Sequence, residues 1–290
     1  MRILITGCNG LLGYELVHQL LNKTDHIVFG LSRSEVRIEH SRFKLVKVDL
    51  SHPRFIEQLP DSVDIIYHLA QSEHFREFPD RANEIFTVNV QSTQLLLDYA
   101  NKCDLQKFIY ASSGGVYGFG QKAFSEELDV SLNSDLGYYL GSKVMGELLV
   151  RNYSRHFHTQ VVRPFFIYGP RQNKTMLIPR LIQSLKDGKP IMLQGNEGLK
   201  LNPIYVEDAA AAMLLFHEIH SSGIINLGGA EVLTLKNIVE IIAKKLGVEP
   251  VFEFSHGEPK HLVGDTKSLN QLIPQKGFKS IKNIEMDLFV

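Results

Sequence analysis

Tyr139-Leu140-Gly141-Ser142-Lys143 places a phenol and an ammonium one turn apart on one side of a helix. A cation beside a phenol favours the phenolate and draws its pKa down from about 10, which would make Tyr139 a usable proton carrier near neutral pH. The pair alone is common in proteins. Its partner is KFIYASSGGVYG at 107–118, where Ser113 follows an apolar strand and would stand at the carboxyl edge of a parallel sheet. Doubly wound folds bind their ligands at that edge. A serine there can hydrogen-bond the substrate oxygen whose proton Tyr139 carries, with Ser112 and Gly114 beside it. The alternative is a strand-end serine and an unrelated helix tyrosine.

A second constellation opens the chain. RILIT at 2–6 runs into Gly7-Cys8-Asn9-Gly10-Leu11-Leu12-Gly13, a GxxGxxG spacing between a strand and a helix. Glycines so placed give a tight turn, close backbone approach to a pyrophosphate and close helix–strand packing, with the helix N-terminus facing the anion. Gly7, Asn9, Gly10, Leu11, Leu12 and Gly13 are therefore candidate dinucleotide contacts; a glycine-rich turn without ligand is the plainer alternative. No acid ends the second strand to accept ribose hydroxyls. Instead Ser32 and Arg33 can hold a 2′-phosphate, so NADP is favoured over NAD, unless Arg33 is only an exposed loop arginine. Asp49, with Leu50, follows the third strand and is a candidate partner for adenine or a simple turn aspartate.

The elements needed to position these groups are legible. Apolar runs at 26–32, 44–50, 64–70, 107–113 and 159–164 continue the series begun at 2–6, and helical patterns cover 10–21, 83–102 and 138–156. The alternation predicts an α/β chain: a Rossmann-type doubly wound parallel sheet with a smaller C-terminal α/β substrate lobe. Residues 1–164 form the dinucleotide-binding domain, with 204–229 returning to it, and 165–290 the substrate lobe. A helix over 233–247 is opened by Thr234 as N-cap and closed by Gly247.

The chain has 290 residues, 44% hydrophobic and 22% charged, with 31 basic against 32 acidic side chains. Such usage excludes a disordered or disulfide-framework chain, and a net charge of −1 gives no broad positive field for nucleic acid or anionic membranes. No apolar run approaches the roughly 18 residues of a membrane span. Cys8 and Cys103 have no metal-ligand spacing and read as reduced thiols, the twelve histidines are scattered, and no metal site is expected. A soluble cytoplasmic protein with a small-molecule substrate is the expectation.

The ordered set Gly7-x-x-Gly10-x-x-Gly13, His68-Leu69-Ala70, Asn89 in TVNVQST, Ser112-Ser113, Tyr139-x-x-x-Lys143, Arg163-Pro164-Phe165 and Tyr168-Gly169-Pro170 resembles the extended short-chain dehydrogenases/reductases, of the NAD(P)-dependent nucleotide-sugar epimerase/dehydratase type. The likeness continues through Tyr205-Val206-Glu207-Asp208 and spans nearly the whole chain. It implies Tyr139 as general acid/base, Lys143 as its tuner and a ribose ligand, Ser113 as the group orienting substrate, and Leu69, Ala70, Asn89 and Pro164 near the cofactor. It also implies a homodimer through the helices at 83–102 and 138–156, where Val88, Leu95, Leu96, Val144 and Leu148 either serve an interface or pack on the sheet.

Three departures bear on the reaction and its substrate. Gly114 and Gly115 stand where the dehydratase branch carries its acidic pair, so dehydration is the least expected activity. Phe166 replaces a frequent asparagine, and Leu201-Asn202-Pro203-Ile204 lacks the arginine that clamps a diphosphate; Arg180, Lys200 or Lys260 could supply a cation or be solvated surface charges. The leading expectation is a nucleotide-sugar epimerase or 4-ketoreductase. A dehydrogenase/reductase of a smaller, non-nucleotide carbonyl or alcohol, and a non-catalytic NAD(P)-binding sensor or structural subunit, are the alternatives.

Overall fold

The computed structural model describes residues 1–130, 132 and 136–283. The tail of the substrate lobe at 284–290 lies outside the described residues. In chain order, β1 (Arg2–Thr6), α1 (Leu11–Lys23), β2 (Ile27–Ser32), β3 (Phe43–Lys47), β4 (Ile65–His68), α2 (Ala82–Phe86), α3 (Ser92–Lys102), β5 (Lys107–Ala111), α4 (Gly137–Asn152) and β6 (His158–Pro164) come first. There follow β7 (Ile167–Tyr168), α5 (Leu177–Lys186), β8 (Ile191–Gln194), β9 (Lys200–Leu201), β10 (Ile204–Tyr205), α6 (Val206–Leu215), β11 (Gly223–Leu227), β12 (Leu233–Thr234), α7 (Leu235–Leu246), β13 (Phe252–Ser255) and α8 (Lys267–Leu272).

Seven strands form one parallel sheet in the order β11-β6-β5-β4-β1-β2-β3. Strand periodicity explains its two cores. Ile3 and Ile5 point to one face, where α1 supplies Leu16, Val17 and Leu20 and α6 supplies Ala209, Ala210 and Met213. Leu4 points to the other, among Leu96, Leu97 and Ala100 of α3, Val150 of α4, and Ile66 and Phe108. Edge strand β3 exposes Lys44 and Lys47, charges that discourage pairing with another chain. A third core joins α5 and α7 through Ile178, Leu181, Ile182, Leu193, Ile238 and Ile242.

Of the 204–229 stretch, Gly223–Leu227 hydrogen-bonds into the main sheet beside β6, whereas Ile204–Tyr205 pairs with β7. Helix α7 has the expected N-cap and stop, with Thr234 Oγ1 accepting from Asn237 N–H at 3.1 Å and Gly247 in the left-handed region at φ 67°, and Asn237 Oδ1 accepting from Thr234 N–H completes a capping box. The helix expected to run unbroken over 83–102 is interrupted by a π-helical segment at Thr87–Gln91. The helix expected over 138–156 ends at Asn152, followed by a 3₁₀ turn over Tyr153–Arg155.

Candidate active site

The strand order reverses at β1, flanked by β2 and β4, and this opens a crevice at the carboxyl ends of the strands. Gly7 leaves β1 at φ 70°, and a Cβ there would approach the Ala70 backbone to 3.1 Å. A Cβ on Gly13 would run into the Gly7 carbonyl oxygen, so the first turn of α1 lies flat on the loop. Gly10 caps α1 without a side-chain hydrogen bond, and the first turn contains no acid. Its backbone N–H groups are therefore available to an anion, and the cradle fits a dinucleotide pyrophosphate.

Behind the cradle, Thr6 Oγ1 accepts from Leu69 N–H at 3.1 Å and Ala70 N–H at 3.0 Å, and bonds His68 Nδ1 at 2.7 Å. Burial pushes the His68 imidazole down to about 3, which keeps it neutral. Its Nε2 meets Thr93 Oγ1 at 2.9 Å, and Thr93 donates to the Asn89 carbonyl. These bonds fix the two loops that border the crevice.

One cavity, about 780 Å³, is lined by Gly7, Asn9, Gly10, Ser32, Arg33, Asp49, Leu50, Leu69 and Ala70, which were all singled out from sequence. Asn9 Nδ2 donates to Ser34 Oγ at 3.1 Å. Arg33 forms an ion pair with Glu73 at 3.0 Å, both side chains more than half exposed. Burial would raise the Asp49 carboxyl, but hydrogen bonds from Ser51 and the charge of Arg33 hold it below its ordinary value.

A second cavity, about 610 Å³, shares Gly7, Asn9, Gly10 and Leu69 with the first and gathers Leu11, Leu12, Gly13, Ser112, Ser113, Tyr139, Lys143, Pro164 and Phe166. Ser113 Oγ accepts from Gly115 N–H at 3.1 Å and caps the short turn 114–117. Tyr139 Oη donates to Gln71 Oε1 at 2.8 Å, and its ring packs on Phe75 with centroids 4.9 Å apart. Lys143 Nζ donates to the Ala111 carbonyl at 2.9 Å. Burial pushes the Tyr139 phenol up, against the opposing charge of Arg76, and pushes the Lys143 ammonium down to about 7, against Glu147. This corrects the expectation of a phenol lowered by its lysine: desolvation outweighs the charge of Arg76, the cation that opposes it, and the proton stays on Tyr139.

Ser112 faces inward as well. Its Oγ donates to Glu147 Oε1, and Glu147 receives Arg163 Nε at 2.9 Å and Nη2 at 2.6 Å. All three are buried, and the guanidinium lies 4.5 Å over the Tyr117 ring.

Five candidates lie elsewhere. Asn89 is buried and does not line either cavity; its Oδ1 accepts from Ser72 N–H at 2.8 Å and its Nδ2 donates to Ser142 Oγ at 2.9 Å. Gly114 is buried under Phe165, whose ring carbons would be 2.7 Å from an added Cβ. Arg180 on α5 and Lys200 on β9 are exposed and outside the cavity, and Lys260 stands over Phe119. Asn202, where the clamp arginine was sought, is buried and pins Gly264 through bonds of 3.0 Å in both directions. Sequence reasoning missed Gln71, Phe75, Arg76, Arg171 and Asn173, which all line the second cavity. They belong to two loops whose approach is a tertiary event with no local signal. Glu147 had one, a carboxylate one turn beyond Lys143 on the same helix.

A parallel doubly wound sheet carrying a glycine cradle beside a Ser-Tyr-Lys cavity defines an α/β dinucleotide-binding enzyme class. The NAD dependent epimerase/dehydratase family model matches residues 3–228, and the chain belongs to that family, within the extended short-chain dehydrogenases/reductases. The chain is 29% identical over 304 residues to an uncharacterized UDP-glucose epimerase, YtcB, of Bacillus subtilis, covering 98% of this chain and 95% of that one. It is 29% identical over 276 residues to the low-salt glycan biosynthesis protein Agl12 of Haloferax volcanii, covering 90% and 88%. Among solved structures, the UDP-glucuronic acid 4-epimerase of Bacillus cereus, in complex with UDP-glucuronic acid and NAD, superposes with a TM-score of 0.85 at 26% identity, covering 100% and 99%.

Proposed function

We propose that this enzyme is a nucleotide-sugar epimerase, or a 4-ketoreductase of the same substrates, with Ser113, Tyr139 and Lys143 as its catalytic groups. One observation carries the reading: the three side chains line a single cavity continuous with the glycine cradle, and no carboxylate stands among its described lining residues. Dehydration needs such an acid, so it is disfavoured. The nucleotide-sugar class is supported by the likeness to the uncharacterized UDP-glucose epimerase YtcB and to the UDP-glucuronic acid 4-epimerase of Bacillus cereus.

Gly7, Gly10 and Gly13 would hold the pyrophosphate, Asp49 the adenine end, and Lys143 the nicotinamide ribose. The nicotinamide cofactor supplies the hydride acceptor and donor at the sugar carbon. Tyr139 exchanges a proton with the sugar oxygen on that carbon. Ser113 hydrogen-bonds the same oxygen and keeps it facing the phenol. Lys143, in its protonated form, would stabilise the phenolate as it develops during the reaction, while in the resting site burial keeps the proton on Tyr139. Phe75, packed on the Tyr139 ring, restricts water around it.

NADP preference is proposed on Ser32 and Arg33, since a doubly charged 2′-phosphate would displace the exposed Glu73 pairing; that pairing is itself the observation favouring NAD. The ratio of NADP⁺ to NAD⁺ dissociation constants decides between them. A homodimer, a cytoplasmic location and the division at residue 164 are proposed from family likeness, from the free thiols of Cys8 and Cys103, and from the separate core joining α5 and α7. They are checked by sedimentation, cell fractionation and limited proteolysis. No described helix is long and apolar enough to cross a membrane.

Incubation with UDP- and dTDP-hexoses, followed by NMR of the product stereochemistry, tests the function. Tyr139→Phe is expected to lose about 10²- to 10⁴-fold in turnover with cofactor binding retained. Reduction of small carbonyls with no sugar conversion would establish the non-nucleotide alternative. Equal inertness of wild type and variant across all substrates would establish the sensor reading.

A further inference from the structure

The two cavities differ in charge. The first sets Arg33 against Asp49, Glu73 and Glu84, whereas the second is lined by Arg76, Lys143 and Arg171 with no described carboxylate. Lys143 is occupied by the Ala111 carbonyl, and Arg76 reaches the Thr175 carbonyl at 3.4 Å across the cavity wall. Arg171 is exposed and has neither a hydrogen-bond nor a carboxylate partner among the described residues, and its side chain is placed by one aromatic contact. Its backbone lies in the left-handed region at φ 68°, and its guanidinium stacks 3.8 Å from the ring centroid of Tyr14, in the first turn of α1. A stacked guanidinium keeps its in-plane donors free for an anion and loses little rotamer freedom on binding one.

Resting on the nucleotide-sugar reading, we propose that Arg171 is the diphosphate clamp of this enzyme, standing in for the arginine absent from Leu201-Asn202-Pro203. The fork of donors matches phosphate oxygens, and the position beside the α1 N-terminus adds a full charge to the partial charge of the helix end. Arg180 and Lys200, exposed like Arg171, lie outside this cavity. Asn173, two residues on, lines both cavities, so the segment bearing Arg171 spans the junction where a cofactor pyrophosphate and a substrate diphosphate would lie close together. The ligand chemistry is therefore a diphosphate ester, with two sources.

Calorimetric titration of Arg171→Gln, with retention of the wild-type thermal midpoint checked first and Arg171→Lys as a second variant, separates them. One arm titrates NAD⁺ and NADP⁺ into the free protein; the other titrates UDP and uridine into cofactor-saturated protein. The expected result is a loss of about 10- to 100-fold in UDP affinity with uridine unchanged, only partly restored by lysine, which lacks the fork. A loss confined to the dinucleotide arm would assign the clamp to the cofactor pyrophosphate, also supporting the diphosphate role. Wild-type affinities in both arms overturn the proposal. Failure of wild type itself to bind UDP or dTDP overturns the nucleotide-sugar reading instead, and the dinucleotide arm still tests Arg171.

Discussion

Lys143 shows how far a spacing rule reaches. The four-residue step from Tyr139 placed both groups correctly in one cavity, but the protonation of each is set by burial, which spacing does not report. Lys143 is pulled from 10.5 to about 7, so its ammonium carries a cost that is fully present below pH 7 and is relieved as pH rises toward 10.5. Glu147 favours the ammonium and opposes that pull. Tyr110 at 5.4 Å, neutral His68 and Tyr139 are the other titratable groups around it, and Arg163 offsets part of the Glu147 charge. Replacing Glu147 by Gln removes a favourable charge, lowers the Lys143 pKa further, and should move the alkaline fall of the kcat–pH profile toward acid by about one unit. Damage confined to folding would lower kcat at every pH and leave the profile where it was. The Arg163 partner was beyond reach of sequence, because β6 meets α4 only in the folded sheet.

At the scale of elements, the strands were legible because buried β-branched runs between turn residues leave few alternatives, and β1 lies at the residues expected. The 82–102 segment was not. Its apolar spacing suits a continuous helix, but Ser92 and Thr93 donate to the carbonyls of Val88 and Asn89, and Asn89 is drawn to Ser72 and Ser142. The π-helical turn coincides with these local back-bonds and with the tertiary bonds of Asn89, and such turns are frequent near functional sites. The junction of β1 and α1 separates packing from binding in a way that mutation can read. A methyl at Gly13 collides with backbone, whereas one at Gly10 meets only the Gly7 carbonyl oxygen, at 3.2 Å. Gly13→Ala should therefore cost about 2–4 kcal/mol of stability and abolish dinucleotide binding. Gly10→Ala should keep a near-native thermal midpoint while losing at least about tenfold in NAD⁺ affinity, since its methyl would occupy the surface a pyrophosphate approaches. Equal thermal midpoints for the two variants would refute this division.

The molecule as a whole places the cavity that gathers Ser113, Tyr139 and Lys143 between the carboxyl edge of the sheet and the segments carrying β7, α5 and β9, as Tyr168, Ile178 and Leu201 lining it show. What it leaves uncovered is the outer side of α4. Val88 and Leu96 are buried, while Leu95 and Val144 pack against cores of their own chain, so these positions are already used within one protomer. Leu148 is 61% exposed and Met145 46%, with Phe86 of α2 at 42%. Large apolar side chains grouped so openly favour association over solvation, each contributing about 1.5–3 kcal/mol if fully buried. The homodimer proposed from family likeness should therefore depend on Leu148 and Met145 rather than on the wider set. Leu148→Glu is expected to shift the sedimentation coefficient from dimer to monomer, with Gly137–Asn152 still helical and the thermal midpoint near that of the wild type. A dimer that survives Leu148→Glu together with Met145→Glu would place the interface on another face.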